Sequence, residues 1–147
     1  MITNKVCIGS DHAGFQLKEF LKDKLHQISP EFVIHDVGCT SSDSVDYPDY
    51  AHQLAQLVSN GDVAMGILIC GSGNGVCICA NKHNGVRAAL CWNKEVASLA
   101  RQHNDANIIC IPARFVNNDE AFAMVETFLK TAFEGGRHEN RRNKIEC

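Results

Sequence analysis

The amino-acid sequence predicts an α/β fold in which a five-stranded parallel sheet carries helices on both faces. Short apolar runs alternate five times with longer segments whose apolar residues recur at helical spacing, the pattern of strands joined by crossover helices. The 147 residues fit one domain, and no linker, internal repeat or low-complexity tract divides them. Apolar residues make up 45% of the chain and charged residues 21%, as in globular rather than disordered proteins.

The five predicted strands are short and mostly apolar, which is typical of strands buried on both faces of a parallel sheet. In chain order they cover residues 6–9, 32–35, 65–70, 86–91 and 108–111. In such a sheet the ligand lies beyond the carboxyl ends of the strands. The residues that follow each run are therefore the first candidates for function.

Helical spacing of apolar residues identifies the segments between the strands. The predicted stripes are Leu17, Phe20, Leu21, Leu25 and Ile28 in the first helix, Tyr50, Leu54, Leu57 and Val58 in the second, Val96, Leu99, Ala100 and His103 in the fourth, and Phe122, Val125, Phe128, Leu129 and Ala132 in the fifth. A short third helix is expected over residues 75–82. Pro48, Asn93 and a capping box of Asn117 with Glu120 mark helix starts.

Charge and hydropathy exclude several classes of protein. The formal net charge is -3 with neutral histidines, which gives no general surface for nucleic acid or for a membrane. No run approaches the ~20 apolar residues of a membrane span. The apolar run at residues 6–9 is too short for a signal peptide. We therefore expect a cytoplasmic protein.

The eight cysteines are expected to be free thiols, since no secretory signal favours a disulfide framework. Four of them lie in or at the end of predicted strands, where cysteine acts as a small hydrophobe: Cys7, Cys70, Cys91 and Cys110. There is no C-x-x-C motif, and the C-x-C pair Cys77 and Cys79 has no matching pair at zinc-site spacing. We expect neither a metal nor another cofactor.

The third predicted strand leads into the sequence C-G-S-G-N-G at residues 70–75, and helical character resumes after it. A strand, a glycine turn and a helix start together present backbone N–H groups to an anion. Cys70 stands at the mouth of this turn, where a helix N-terminus favours the thiolate. It is either a nucleophile or base, or a core cysteine beside a tight turn. A dinucleotide fingerprint would need glycine in place of Val76, and the lack of G-K-[ST] excludes a P-loop.

Three further groups of polar residues have both a functional and a structural interpretation. Asp11 and His12 follow the first strand, either as substrate ligands or as a helix cap beside a surface histidine. His103 lies on the apolar side of a helix end, where a buried core histidine is the usual finding. Arg137 and Arg141 are four residues apart, so on a helix they share one face and suit a phosphate. In a frayed C-terminus they would instead be solvated.

Six motifs occur in order along the chain: G-S-D-H-A-G-F (9–15), D-Y-P-D-Y-A (46–51), C-G-S-G-N-G (70–75), A-N-K (80–82), R-Q-H-N-D (101–105) and E-G-G-R-H-x-x-R (134–141). Together they resemble ribose-5-phosphate isomerase B and the wider group that includes galactose-6-phosphate and allose-6-phosphate isomerases. The resemblance implies a Rossmann-like α/β/α sandwich without a metal. It implies interconversion of aldose and ketose phosphates through an enediol(ate), a reaction of the pentose phosphate pathway. It also implies a homodimer, or a tetramer built from it, with active sites between subunits.

The resemblance also assigns roles to individual residues. Cys70 matches the base that transfers the proton, and His103 matches the histidine that opens the sugar ring. Ser72 keeps the hydroxyl of a position that is commonly Thr, and with Asp11 it is expected to move protons between the sugar oxygens. The residues expected to bind substrate are His12, Tyr47, Gly71, Gly73, Asn74, Gly75, Asn104, Arg114, Arg137 and Arg141.

Three expectations refine this resemblance. One branch of the family uses a carboxylate just after the glycine loop, whereas this chain has Val76 there and so looks like the thiol branch. The C-terminal segment 137–147 carries the two arginines and is expected to dock on the partner subunit. The expected substrate pair is ribose 5-phosphate and ribulose 5-phosphate, and the alternative is a six-carbon sugar phosphate such as allose 6-phosphate or galactose 6-phosphate.

Overall fold

The computed structural model describes residues 4–147, so residues 1–3 of the predicted domain lie outside the described range. Within it, five strands form one all-parallel sheet in the order β2-β1-β3-β5-β4. The strands are β1 Lys5–Ser10, β2 Val33–Asp36, β3 Met65–Cys70, β4 Ala88–Leu90 and β5 Ile108–Pro112. The α-helices are α1 Phe15–Ile28, α2 Tyr47–Ser59, α3 Asn74–Ala80, α4 Lys94–Asn104, α5 Asn118–Lys130 and α6 Arg137–Arg142. The predicted α/β/α fold with its five-stranded parallel sheet is confirmed.

Two hydrophobic cores cover the two faces of the sheet, because successive residues of a strand point to opposite sides. Ile67 and Ile69 of β3 pack with α1, α4 and α5, whereas Leu68 and Cys70 pack with α2 and α3. None of these four residues is more than 5% exposed. The alternation therefore aims the Cys70 side chain at the α2–α3 side of the sheet.

The predicted helical stripes face the sheet in α1, α2 and α5. Their central residues are buried: Leu17, Leu21, Leu25, Leu54, Val58, Val125 and Phe128. Their flanking residues are half-buried: Phe20, Ile28, Tyr50, Leu57, Phe122 and Leu129. Ala132 is an exception, because α5 ends at Lys130 and leaves Ala132 exposed in the loop that follows. No helix within residues 4–147 combines the length and the apolar character needed to cross a bilayer.

The buried face of α4 differs from the predicted stripe, because Leu99 is 39% exposed. The helix instead buries Ala97, Ala100 and Arg101. Burial of Arg101 is possible because its guanidinium is hydrogen-bonded, with Nε donating to the Thr131 carbonyl at 3.1 Å. Its aliphatic stem then covers apolar surface. Because arginine counts as polar in the apolar pattern, Arg101 was left out of the predicted buried face, and Leu99 was placed there instead.

The fourth strand is shorter than the predicted span 86–91. The Arg87 N–H donates to Asn107 Oδ1 at 2.8 Å, so the regular ladder starts after it. β4 is an edge strand that pairs only with β5, and Asn81 covers its free side. The Ala88 N–H donates to Asn81 Oδ1 at 2.8 Å, and Asn81 Nδ2 donates to the Ala88 carbonyl at 2.9 Å. A side-chain amide thus takes the place of a neighbouring strand and protects the edge.

All eight cysteines are free thiols. Burial raises the pKa of Cys7 to about 12, with a smaller contribution from Asp36, and burial likewise raises the pKa of Cys91 to about 12. Burial also raises the pKa of Cys110 well above its ordinary value. These three residues are therefore protonated at neutral pH and act as small hydrophobic side chains of the core.

Candidate active site

The glycine turn at residues 70–75 needs a left-handed backbone at one position. Gly73 has a φ of 74°, which glycine adopts without steric cost. A Cβ atom at Gly73 would stand 2.5 Å from Leu90 Cδ1 and 3.2 Å from the carbonyl carbon of Ile111. Because α3 begins at the next residue, Asn74, this glycine lets the chain turn from strand into helix directly above the sheet.

The Cys70 thiol lies at the mouth of this turn and is only 5% exposed. The Gly73 N–H donates to Cys70 Sγ at 3.2 Å, which orients the sulfur atom within the turn. The loop after β5 holds the turn from its other side. The Ala113 N–H donates to the Cys70 carbonyl at 2.9 Å, and the Arg114 N–H donates to the Gly71 carbonyl at 3.0 Å. Main-chain hydrogen bonds therefore fix the position of the sulfur atom.

A cavity of about 360 Å³ opens beside the turn. It is lined by Asp11, His12, Ala13, Tyr47, Cys70, Gly71, Ser72, Gly75 and Arg114. All of these except Ala13 are site residues predicted from the sequence. A Cβ atom on Gly75 would stand 2.6 Å from the Tyr47 ring, and one on Gly71 would stand 3.0 Å from the Arg114 guanidinium carbon. The two glycines therefore allow an aromatic ring and a cation to approach the turn closely.

The remaining residues of the turn support it. Ser72 is exposed at its tip, and Ser72 Oγ accepts the Asn74 N–H at 3.3 Å. Gly73 and Asn74 belong to the turn but do not line the cavity. Val76 is fully buried in the α2–α3 core, so the position at which a carboxylate would act supplies no acid or base here.

Asp11 and His12 lie at the end of β1, next to the turn. Asp11 is 6% exposed, and its Oδ1 accepts the N–H groups of Ala13 and Gly14 at 3.0 and 3.2 Å, so it does cap the following helical turn. His12 Nδ1 accepts the Val45 N–H at 3.1 Å. In the neutral ring the proton is therefore on Nε2, which remains able to donate to a ligand.

Besides Gly73 and Asn74 of the turn, four predicted site residues do not line this cavity: His103, Asn104, Arg137 and Arg141. The first two end α4, and β5 begins only a few residues later at Ile108. Cys70 is paired with Pro112, at the opposite end of β5. Four residues of strand at ~3.3 Å each separate the two ends by about 13 Å. Within one chain, the two groups of predicted residues therefore lie at opposite ends of the strands.

The second group is assembled where α6 packs against the end of α4. The rings of His103 and His138 stack with centroids 4.2 Å apart and an interplanar angle of 9°. Arg137 and Arg141 lie one turn apart on the exposed face of α6, the arrangement that their spacing indicates. Within residues 4–147, the side-chain hydrogen bonds and ion pairs made by arginines of α6 all belong to Arg142. The other two guanidinium groups are available to a ligand.

The charges around this junction suit an anion better than a metal ion. In the part of the chain that the structure describes, one set of potential metal ligands lies within 4.8 Å, His103, Glu134 and His138, and it does not include the C-x-C pair. Burial, and then the neighbouring His103 and Arg137, lower the pKa of His138 below its ordinary value of 6.5. The ring is therefore neutral at pH 7. The two exposed arginines repel a divalent cation and attract a phosphate.

Sequence reasoning missed the residues that connect α6 to α4. Arg142 Nη1 donates to Asp105 Oδ2 at 2.8 Å, although the two residues are 37 positions apart. Asp105 also pairs with Arg101 at 3.0 Å and with Arg87 at 3.4 Å. Asp105 stands in the R-Q-H-N-D motif and Arg142 follows Arg141, so both are adjacent to predicted residues. A long-range ion pair leaves no periodic signal by which to find it.

The sheet, the glycine turn and the cavity at the strand ends define an α/β protein in which a thiol and an imidazole line one small polar cavity. The family model described as Ribose/Galactose Isomerase matches residues 6–145, and the chain belongs to this family. The resemblance drawn from the six motifs is confirmed.

Individual relatives agree over nearly the whole chain. Ribose-5-phosphate isomerase B of Escherichia coli is 43% identical over 141 residues, which cover 96% of this chain and 93% of that protein. The structure of ribose-5-phosphate isomerase B from Clostridium thermocellum has a TM-score of 0.92 at 45% identity, covering 96% of this chain and 94% of that one. The Mycoplasma genitalium enzyme with bound ribulose-5-phosphate has a TM-score of 0.90 at 45% identity, covering 96% and 93%.

Proposed function

We propose that the protein is an aldose–ketose isomerase that interconverts ribose 5-phosphate and ribulose 5-phosphate. The observation that carries this proposal is the buried Cys70 thiol. It accepts a hydrogen bond from the Gly73 N–H and lines a cavity together with His12 and Arg114. A base, donors for sugar oxygens and a cation for phosphate are what the reaction requires. The Mycoplasma genitalium relative, at 45% identity, binds ribulose-5-phosphate.

Proton transfer in this proposal uses Cys70 for both carbons. After the sugar ring opens, Cys70 Sγ takes the proton from C2. The electron pair of that C–H bond forms the C1=C2 double bond, and the π pair of the C1 carbonyl moves onto its oxygen to give an enediolate. A proton then passes from the C2 hydroxyl to the C1 oxygen, which leaves the charge on the C2 oxygen. The C2 carbonyl forms as C1 takes the proton back from Cys70. One base serves both steps, and no co-reactant is consumed.

The neighbouring groups handle the oxygen atoms. Ser72 and Asp11 move protons between the two sugar oxygens, and His12 Nε2 donates to the substrate. The N–H groups of Gly73 and Asn74 are already used within the turn, so stabilisation of the enediolate falls to its other N–H groups. In comparable sites, one preorganised donor of this kind contributes about 10²–10³ in rate.

The groups at the other edge of the sheet come from a second copy of the chain in this proposal: His103, which opens the ring, Asn104, and the phosphate ligands Arg137 and Arg141. One chain holds them too far from Cys70 to act on one pentose phosphate. Large apolar side chains are exposed on the segments that follow β3, β4 and β5, with Ile78 62%, Trp92 58% and Phe115 75% exposed. A second copy would cover them. We therefore infer a homodimer in which segment 137–147 of one chain reaches the cavity of the other.

The direct test is a coupled assay of the wild-type protein on ribose 5-phosphate, allose 6-phosphate and galactose 6-phosphate. We expect kcat/KM for the pentose phosphate to exceed both others by about tenfold or more, since a site fitted to five carbons must exclude or displace the extra group. Activity on a six-carbon substrate alone would contradict the substrate assignment. If the protein isomerises none of the three substrates, the isomerase assignment is contradicted.

A further inference from the structure

The Asp105 carboxylate collects three guanidinium groups at the end of α4. Asp105 Oδ1 accepts a hydrogen bond from Arg101 Nη1 at 3.0 Å, and Asp105 Oδ2 accepts one from Arg142 Nη1 at 2.8 Å. Arg87 Nη2 approaches the same Oδ2 at 3.4 Å. The carboxylate side chain is 21% exposed, so water screens these pairs only in part. One carboxylate thus contacts three positive charges from separate parts of the chain.

Arg142 depends on this carboxylate more than the other two arginines do, because each of those also donates to main-chain carbonyls. Arg142 otherwise contacts Asn143 and Glu139, which belong to its own segment, and lies 5.0 Å from the Phe133 ring. Among residues 4–147, Asp105 is the only carboxylate outside α6 with which Arg142 pairs. This ion pair is therefore the ionic connection between the tail helix and α4.

The two faces of α6 have different roles. His138 and Arg142 lie one turn apart and face α4, and His138 is only 7% exposed against His103. The exposed face presents Arg137 and Arg141. A helix of six residues is not stable by itself, so its orientation depends on these contacts. We call the His103–His138 stack and the Asp105–Arg142 ion pair together the tail latch.

We propose that Asp105 is a positioning residue for phosphate binding. It holds Arg142, and through the tail latch it presents Arg137 and Arg141 in a fixed orientation to the phosphate group of the substrate. The proposal rests on the phosphate-binding role given to these two arginines in the proposed function. Guanidinium groups held in place bind a phosphate with less loss of entropy than groups on a mobile tail. Cys70, which transfers the proton between the two carbons, lies at the opposite ends of the strands and is not affected.

The backbone at Asp105 allows a clean test of its charge. Its φ is 48°, in the left-handed region that asparagine also tolerates. Asp105→Asn therefore keeps the shape and backbone while removing the charge. Arg142→Met removes the partner and keeps an aliphatic stem, whereas Arg142→Lys keeps the charge. The matched control is Glu126→Gln, which breaks the exposed 2.8 Å pair with Lys130 on α5.

The measurements are kcat and KM for ribose 5-phosphate and the dissociation constant of inorganic phosphate by titration calorimetry. We expect Asp105→Asn and Arg142→Met each to raise KM and the phosphate dissociation constant by about 3- to 30-fold, with kcat changed less than about twofold. The double variant should be no worse than the more affected single variant, because both changes break one contact. Arg142→Lys should recover part of the loss, and Glu126→Gln should match the wild type.

Unchanged phosphate affinity in both Asp105→Asn and Arg142→Met would overturn the proposal, as would a fall in kcat at constant KM. If Asp105→Asn does not fold, Arg142→Met decides, because Arg142 lies on the partly exposed tail helix. The calorimetric readout does not need turnover. The wild type could fail to isomerise ribose 5-phosphate while Asp105→Asn still weakens phosphate binding. That result would contradict the proposed function and support the positioning role of Asp105.

Discussion

The glycine-turn cavity and the tail latch are built from different interactions. Cys70 and Asp11 in the cavity are 5% and 6% exposed and are positioned by main-chain hydrogen bonds at strand ends. The tail latch depends on side chains, a stacked histidine pair and an ion pair, and its outer arginines are exposed. A group that transfers protons must be held rigidly, whereas a phosphate is bound by charge. Changes in the cavity should therefore lower kcat, and changes in the Asp105–Arg142 ion pair of the latch should raise KM.

The largest effect is expected in the cavity from Cys70→Ala, which removes the proposed base. We expect kcat on ribose 5-phosphate to fall by about 10²–10⁴ while KM changes less than about threefold. Cys7→Ala is the control, because Cys7 is a buried core thiol that does not line the cavity, and it should retain wild-type kinetics. Near-normal turnover by Cys70→Ala would show that another group transfers the proton.

Gly61 and Gly73 both have a positive φ, but only Gly73 is closely packed. Comparing alanine substitutions at the two positions therefore separates the cost of backbone strain from the cost of a steric collision in the glycine turn. Gly61 has a φ of 80°, and a Cβ atom added there would meet no other atom within 4 Å, so Gly61→Ala should cost only about 1–2 kcal/mol in the free energy of unfolding. Gly73→Ala adds a collision with Leu90 Cδ1 and the β5 backbone, and should cost about 2–4 kcal/mol and displace Cys70. Denaturant unfolding and kcat measure both. Equal losses for the two variants would show that the turn tolerates a side chain.

The smallest effect is expected when pH changes the protonation of His138 in the latch and so the stability of the folded protein. Burial, and then His103, Arg137 and Arg141, lower the pKa of His138, and Glu134 opposes them in part. The unfolded chain then binds more protons in mild acid, so the stability associated with neutral His138 is present above pH 6.5 and lost as pH falls through the lowered pKa.

Thermal unfolding of the wild type and of His138→Gln between pH 7.5 and pH 5 tests this sign. The wild type should lose more stability on acidification than His138→Gln. His26→Gln, which changes an exposed histidine of α1, should follow the wild type. The same pH dependence in all three proteins would mean that His138 does not titrate with folding.

The fold could be predicted from the sequence because short apolar runs, typical of buried strands, alternate with longer segments whose apolar residues recur at helical spacing. β3 occupies residues 65–70, the span that its apolar run predicts. Errors arose where a polar side chain took the place of another element or of an apolar residue. Asn81 pairs with the edge of β4, and Arg101 takes the buried place assigned to Leu99 on α4. Neither replacement is visible to a search that sorts residues into polar and apolar.

Only part of the candidate site could be predicted from the sequence. The residues of the cavity follow strands, so topology alone brought Asp11, Tyr47, Cys70 and Arg114 to one edge. His103 could not be placed in this way, because α4 returns the chain to the other edge of the sheet. The connection through Asp105 was not predictable, since its partners lie far away in sequence and their roles depend on packing.

In the proposed homodimer, each active site takes its cavity from one chain and takes its ring-opening histidine and phosphate-binding arginines from the other. The most direct measurement mixes two impaired variants, Cys70→Ala and His103→Ala, unfolds them and refolds them together. Random pairing makes half of the dimers mixed, and each mixed dimer has one site with both residues intact. We therefore expect activity to recover to about a quarter of the wild-type value. A mixture of Cys70→Ala with Cys70→Ser should not recover. Activity no greater than the sum of the separate variants would contradict the shared site.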